Sequence, residues 1–195
     1  SSLGLQWDME TDRLSIKTEL KNRPMTRRGL LGYVMSPYDP LGIAAPVMLL
    51  CKLLQREVFP PLNDDPHNYA ALGWDGILPS YLKKQWEQMV STCYQVQDLE
   101  IPRSFYPIGS GTPISQQLHA FADAYDLAIC CAIFVRTVMS TGKIFVAFVC
   151  GNSHVLPRGT TFKGQLVIPR AELCAATMLV EKVREVELEL GMCPP

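Results

Sequence analysis

Asp123 interrupts "LHAFADAYDLAICCAIFVRTV" (118–138), a run whose neighbours are mostly apolar. A carboxylate taken out of water without a partner is costly. Asp123 therefore either ends a strand at the surface or has a cation to hold. Glu172 stands near the start of "RAELCAATMLVEKVREVELEL" (170–190), whose spacing predicts a helix. Glu172, Ala176, Leu179, Val183 and Leu190 fall on or near one helical face, and Leu173 and Val180 complete an apolar stripe that could cover a sheet. That spacing puts Glu172 in the first turn, on or near the inward face. A helix laid across the sheet could then bring the two acids together. Adjacent carboxylates repel unless a divalent cation such as Mg²⁺ bridges them. Each residue also has a purely structural use. The helix macrodipole favours Glu in a first turn, and Asp is an ordinary turn former at a strand end. Spacing alone leaves both readings open.

Other chemistry-bearing residues show less pattern. The seven cysteines (Cys51, Cys93, Cys130, Cys131, Cys150, Cys174 and Cys193) form no C-x-x-C, and most lie in apolar runs. They read as reduced core residues of an intracellular protein. His67, His119 and His154 have no metal-like spacing to one another or to those cysteines. The formal net charge is −1, so the excess of Lys and Arg that marks many nucleic-acid binders is absent. No apolar run is long enough to span a membrane, and the first residues show no basic-then-apolar signal pattern. The expected location is cytoplasmic or nuclear, without membrane contact.

The elements that must position the acids follow from periodicity. "LGLQWDMETDRLSI" alternates as a β-hairpin. A hairpin at the first residue, with no start methionine, suggests a piece of a longer polypeptide. Thr26 can cap a short helix through Val34. A second helix is expected from about Pro46, with Val47, Leu50, Cys51, Leu54 and Val58 on one face and Pro60 and Pro61 ending it. A third carries Leu82, Trp86, Met89, Cys93 and Val96 as its stripe, with Ser80 as a cap. From Ile101 the pattern turns to β. "QQLHAFADA", "LAICCAIFVRTV" and "GKIFVAFVCGNSHV" read as strands, with "STG" (140–142) a tight connection between the last two. Gly191 is suited to stop the final helix. The expected class is α+β: a hairpin (1–24), a helical connection (25–100) and a β-β-β-α unit (101–195).

Several stretches together resemble the polymerase polyprotein of BEL/Pao long-terminal-repeat retrotransposons. They are "LGLQWD" (3–8), "TRRGLLGYVMSPYDPLGIAAPVMLLCKLLQ" (26–55), the "WD" at 74–75, "IPR" (101–103), "LHAFADA" (118–124) and "IPRAELCAA" (168–176), in collinear order. The resemblance implies the end of a reverse-transcriptase palm, then a helical thumb or connection, then the N-terminal half of a ribonuclease H-like domain. It implies that FADA supplies a first catalytic acid, Asp123, and IPRAEL a second, Glu172. Both would be Mg²⁺ ligands in the complete domain. The implied partners are an RNA–DNA hybrid or primer–template duplex and the remainder of the polyprotein.

Two departures qualify what the resemblance implies. Family members often carry Ser two residues after the first Asp, where this chain has Tyr125. A ribonuclease H site also needs further carboxylates, the next from a strand after this helix, and the chain reaches Pro195 before one. The fragment alone is therefore expected to be inactive. The family region also carries a peptidase label. The only Asp-Gly here is Asp75–Gly76, without the hydroxyl residue that an aspartic peptidase places between them. A non-catalytic alternative is a module that grips a duplex by phosphate contacts, with Arg27, Arg28, Lys83, Lys84, Arg158, Lys163 and Arg170 as candidates.

Overall fold

The computed structural model describes residues 4–17, 20–59, 67–156, 161–162, 165–166 and 168–192. The chain divides into two compact units, Ser1–Glu100 and Ile101–Pro195. Leu3, Pro60, Pro61, Arg158, Lys163, Cys193, Pro194 and Pro195, which entered the sequence reading, lie outside the described residues.

The first unit opens on the hairpin β1 (Leu5–Asp8) and β2 (Arg13–Ile16), paired antiparallel. A short strand, β3 (Glu100–Pro102), completes the sheet in the order β1-β2-β3. Helix α1 (Arg27–Val34) starts where the sequence places it, because the Thr26 side chain accepts a hydrogen bond from the Gly29 N–H at 3.0 Å. Gly29 has no alternative there: a Cβ would sit 2.1 Å from the Pro24 carbonyl oxygen. Helix α2 (Ala45–Val58) follows a turn in which Asp39 accepts from the N–H groups of Ile43 and Ala44. Helix α3 (Lys83–Gln95) follows a 3₁₀ turn over Ser80–Leu82. Hairpin and helices share one core, in which Ile16, Leu30, Tyr33, Cys51 and Trp86 meet. Two expectations need correcting. Ser80 lies inside the 3₁₀ turn and makes no capping bond. On α2 the buried position is Met48 rather than Leu50, which is 38 % exposed.

The second unit is built on three long antiparallel strands: β4 (Pro113–Tyr125), β5 (Ala128–Met139) and β6 (Ile144–Val155), in the order β4-β5-β6. Gly142, at φ +80°, closes the Ser140–Gly142 turn between β5 and β6 at no Cβ cost. A two-residue ladder, β7 (Thr161–Phe162) with β8 (Gln165–Leu166), precedes the long helix α4 (Ile168–Leu190). Gly191 ends that helix at φ +63°, and the Met192 N–H returns to the Glu187 carbonyl. The helix packs on β4 and β5.

The face that α4 turns to the sheet differs from the stripe the spacing suggests. Ala171, Ala175 and Val186 are buried, and Met178, Leu179 and Val183 pack with them. Leu173 is 67 % exposed and Val180 51 %. The physical reason is size. Small alanines let the helix backbone approach the sheet closely, so the larger residues on the neighbouring face are left outside. The helix also starts at Ile168, which leaves Glu172 beyond the first turn.

This arrangement sets an expected outcome. Ala175→Leu should overpack the helix–sheet contact and cost about 1–3 kcal/mol. Leu173→Ala should change stability by no more than about 0.5 kcal/mol. Urea unfolding of the two variants checks both; the reverse order would restore the larger-residue stripe.

Candidate functional site

Alternation along β4 decides where its side chains go. Leu118 and Ala120 pack in the cluster of Ile133, Cys150 and Val186, and Ala124 packs in the cluster of Ile129, Leu156, Ala171 and Ala175. These even-numbered positions face α4. His119, Phe121 and Asp123 therefore face the other way. Asp123 is opposite Cys130 in the register, exposed, and its Oδ1 accepts a hydrogen bond from the next backbone N–H, Ala124, at 2.8 Å. Tyr125, two residues further on and the last of the strand, is 71 % exposed.

Glu172 is also exposed. It follows Ala171, as Asp123 precedes Ala124, and those two alanines belong to one apolar cluster. The fold thus brings the end of β4 and the start of α4 together. It leaves both acids exposed. Asp123 leaves the cluster into solvent from the far side of its strand, and Glu172, seven residues before Leu179 on the helix, is exposed at the flank of the face that packs on the sheet.

Both acids suit a hard divalent cation in kind. Mg²⁺ takes oxygen ligands and keeps several waters, which exposed carboxylates allow. The protein's share is small: among the described residues no group of three or more His, Cys, Asp and Glu side chains could hold a metal ion.

The face that carries Asp123 has one feature the sequence reading missed. A shallow hollow of about 300 Å³ is lined by His119, Phe121, Phe134, Arg136 and Val146. Phe121, Phe134 and Phe148 run across the three strands edge to face, with centroids 6.1 and 5.7 Å apart. The signal was available in the period-two spacing of His119, Phe121 and Asp123, which puts them on one side of a strand.

The basic residues weighed as phosphate contacts are in part already engaged. Arg28 forms two bonds with Asp75, at 2.7 and 3.0 Å, and Lys83 lies 3.8 Å from Glu87. Arg27 stacks over the Phe59 ring at 4.4 Å. Lys84 and Arg170 are exposed. The same ion pair bears on the peptidase label. The Arg28 guanidinium bonded to Asp75 holds that carboxyl below its ordinary value. A peptidase pair shares one proton, so one of its aspartates must be raised instead.

An α+β unit of three antiparallel strands in sequence order, closed by a long helix and carrying an acid on the first strand and another on the helix, has the arrangement of a ribonuclease H-like domain. The sequence model of one family, described as Pao retrotransposon-like RNaseH-like domain, matches residues 26–193. The chain belongs to this family. The match runs through both compact units. No curated protein and no solved structure matches the chain. Among the described residues no helix is long and apolar enough to cross a membrane.

The Arg28–Asp75 pair gives a pH dependence with a definite sign. Asp75 is depressed in the folded state, so its contribution to stability is present above the ordinary carboxylate value of 3.8 and is lost as pH falls through the lower folded value. An NMR titration should place the Asp75 midpoint below 3.8, and Arg28→Ala should return it towards that value. A midpoint unmoved by the substitution would remove the ion pair as the cause.

Proposed function

We propose that this chain is part of a BEL/Pao-type retrotransposon polymerase polyprotein, and that its second unit belongs to a domain that hydrolyses the RNA strand of RNA–DNA hybrids. The observation that carries the reading is the convergence of β4's end and α4's start on the cluster of Ala124, Ala171 and Ala175, with Asp123 and Glu172 adjoining it. In this reading those two acids are Mg²⁺ ligands. The metal, when bound, would stabilise the attacking and leaving oxygens of phosphodiester hydrolysis. Asp123 would offer the carboxylate oxygen not held by the Ala124 N–H, and Glu172 would approach from the helix. Because Asp123 faces away from α4, shared coordination would require the two side chains to turn towards each other past Ala124 and Ala171. The first unit would link a reverse transcriptase to this domain.

With two acidic ligands the chain should bind Mg²⁺ weakly and turn over a hybrid slowly or not at all. Its partners in the element would be an RNA–DNA hybrid or a primer–template duplex and the rest of the polyprotein. A purely phosphate-gripping role for the first unit is disfavoured by the carboxylates already paired with Arg28 and Lys83.

Calorimetric titration with Mg²⁺ tests the ligand assignment. Asp123→Asn and Glu172→Gln should each weaken binding by about tenfold or more, since a lost charged ligand costs on the order of 1.4 kcal/mol or above. Both substitutions should leave thermal unfolding unchanged, because both side chains are exposed. Equal affinity in the wild type and both variants would sink the site.

A further inference from the structure

Two thiols in the first unit have an arrangement that neither the fold nor the nuclease reading uses. Cys51 on α2 and Cys93 on α3 face each other with their sulfur atoms 3.2 Å apart. They are buried, at 0 % and 2 % exposure, and both belong to the core of that unit. Both are free thiols. A disulfide needs the sulfurs at about 2.05 Å, so closure asks for a relative movement of about 1.1 Å. Rotation about the side-chain bonds and a slight slide of two packed helices can supply that. Among the described residues the exposed thiols, Cys130 and Cys174, lie in the other unit.

We infer that Cys51 and Cys93 are a cross-linking pair, converted by a peroxide-class oxidant into an intramolecular disulfide that ties α2 to α3. The two thiols are not equivalent. The hydrogen bond between the two sulfurs, together with burial, pushes Cys51 up, whereas the same bond holds Cys93 lower. Cys93 is therefore the attacking thiolate. Its sulfur attacks one peroxide oxygen, the O–O bond breaks, and the leaving hydroxide takes a proton to become water. That step leaves Cys93 as a sulfenic acid. The Cys51 sulfur then attacks the Cys93 sulfur, the S–O bond breaks, and a second water leaves. Two thiols lose two electrons and two protons, and one peroxide becomes two waters. The bond closes a loop between positions 42 residues apart, which restricts the unfolded chain and so should raise the unfolding temperature. Because both sulfurs are buried, oxidant reaches them through opening of the helix pair. The reaction should be slower than oxidation of Cys130 and Cys174.

The test uses the full chain, treated with hydrogen peroxide under conditions where near-ultraviolet dichroism shows the fold intact. Free thiols are then alkylated in denaturant and the chain is digested without reduction. The expected result is a linked peptide pair containing Cys51 and Cys93, at least about tenfold more abundant than any other pairing, as the proximity of one thiol to the other dictates. The oxidised chain should unfold at higher temperature, and dithiothreitol should reverse both changes. Cys51→Ser and Cys93→Ser should each abolish the link and leave the remaining thiol alkylatable. Should either serine variant fail to fold, the wild-type peptide map decides alone. Three outcomes would overturn the inference: both thiols still alkylatable when peroxide treatment of the folded chain is prolonged well beyond full oxidation of Cys130 and Cys174, overoxidation of Cys93 without a link, or a link that forms only after unfolding.

Discussion

The second unit depends on how closely α4 can approach its sheet. Ala171 and Ala175 set that distance, against Ala124 and Ile129. Their small side chains bring the start of the helix down onto the end of β4. Asp123 adjoins Ala124 and Glu172 adjoins Ala171, so the two carboxylates keep their mutual position only while the alanines remain in contact. Interiors are packed to near-crystal density, and a seat of this kind does not deform gradually. The extended Ile133 cluster further along the helix, with Leu179, Val183 and Val186, fixes its direction over the sheet.

In the first unit, the residues that most specifically resemble the retrotransposon family turn out to be folding devices. Thr26 caps α1, Gly29 admits the Pro24 carbonyl, and Asp39 satisfies two N–H groups before α2. Asp75, in the "WD" pair, holds Arg28, and the Trp74 carbonyl accepts from the Arg28 N–H. These residues specify a scaffold through local hydrogen bonds that few other side chains can make. They carry no chemistry of their own, so the case for a nuclease rests on the second unit.

The sequence made legible those features in which one physical rule acts alone. The stripe of the third helix is buried as its spacing requires: Trp86, Met89 and Cys93 on α3, with Leu82 and Val96 in the 3₁₀ turns at its two ends. The strands β4 to β6 and their antiparallel order follow from alternation and a tight glycine turn. Helix α4 was legible as a helix and misread in rotation. It carries Leu173, Val180 and Leu188 on surfaces the structure leaves exposed, so apolar character alone admits more than one inward face. Close approach by alanines is a property of the packed pair and has no signature in one helix's periodicity. The observed rotation leaves Glu172 exposed at the flank of the packed face. Asp123 was identified by its residue type and setting, but the side of the sheet it takes depends on register with Ala120 and Ala124. A one-residue slip reverses every side chain of a strand.

The proposed nuclease function requires the end of β4 and the start of α4 to serve one divalent ion. Mn²⁺, a paramagnetic stand-in for Mg²⁺, tests it most directly through backbone amide signals. The account requires residues 122–125 and 170–174 to broaden together, at the same Mn²⁺ concentration, and both to recover when excess Mg²⁺ is added. Broadening confined to one of the two segments, or spread evenly over the acidic surface, would contradict it.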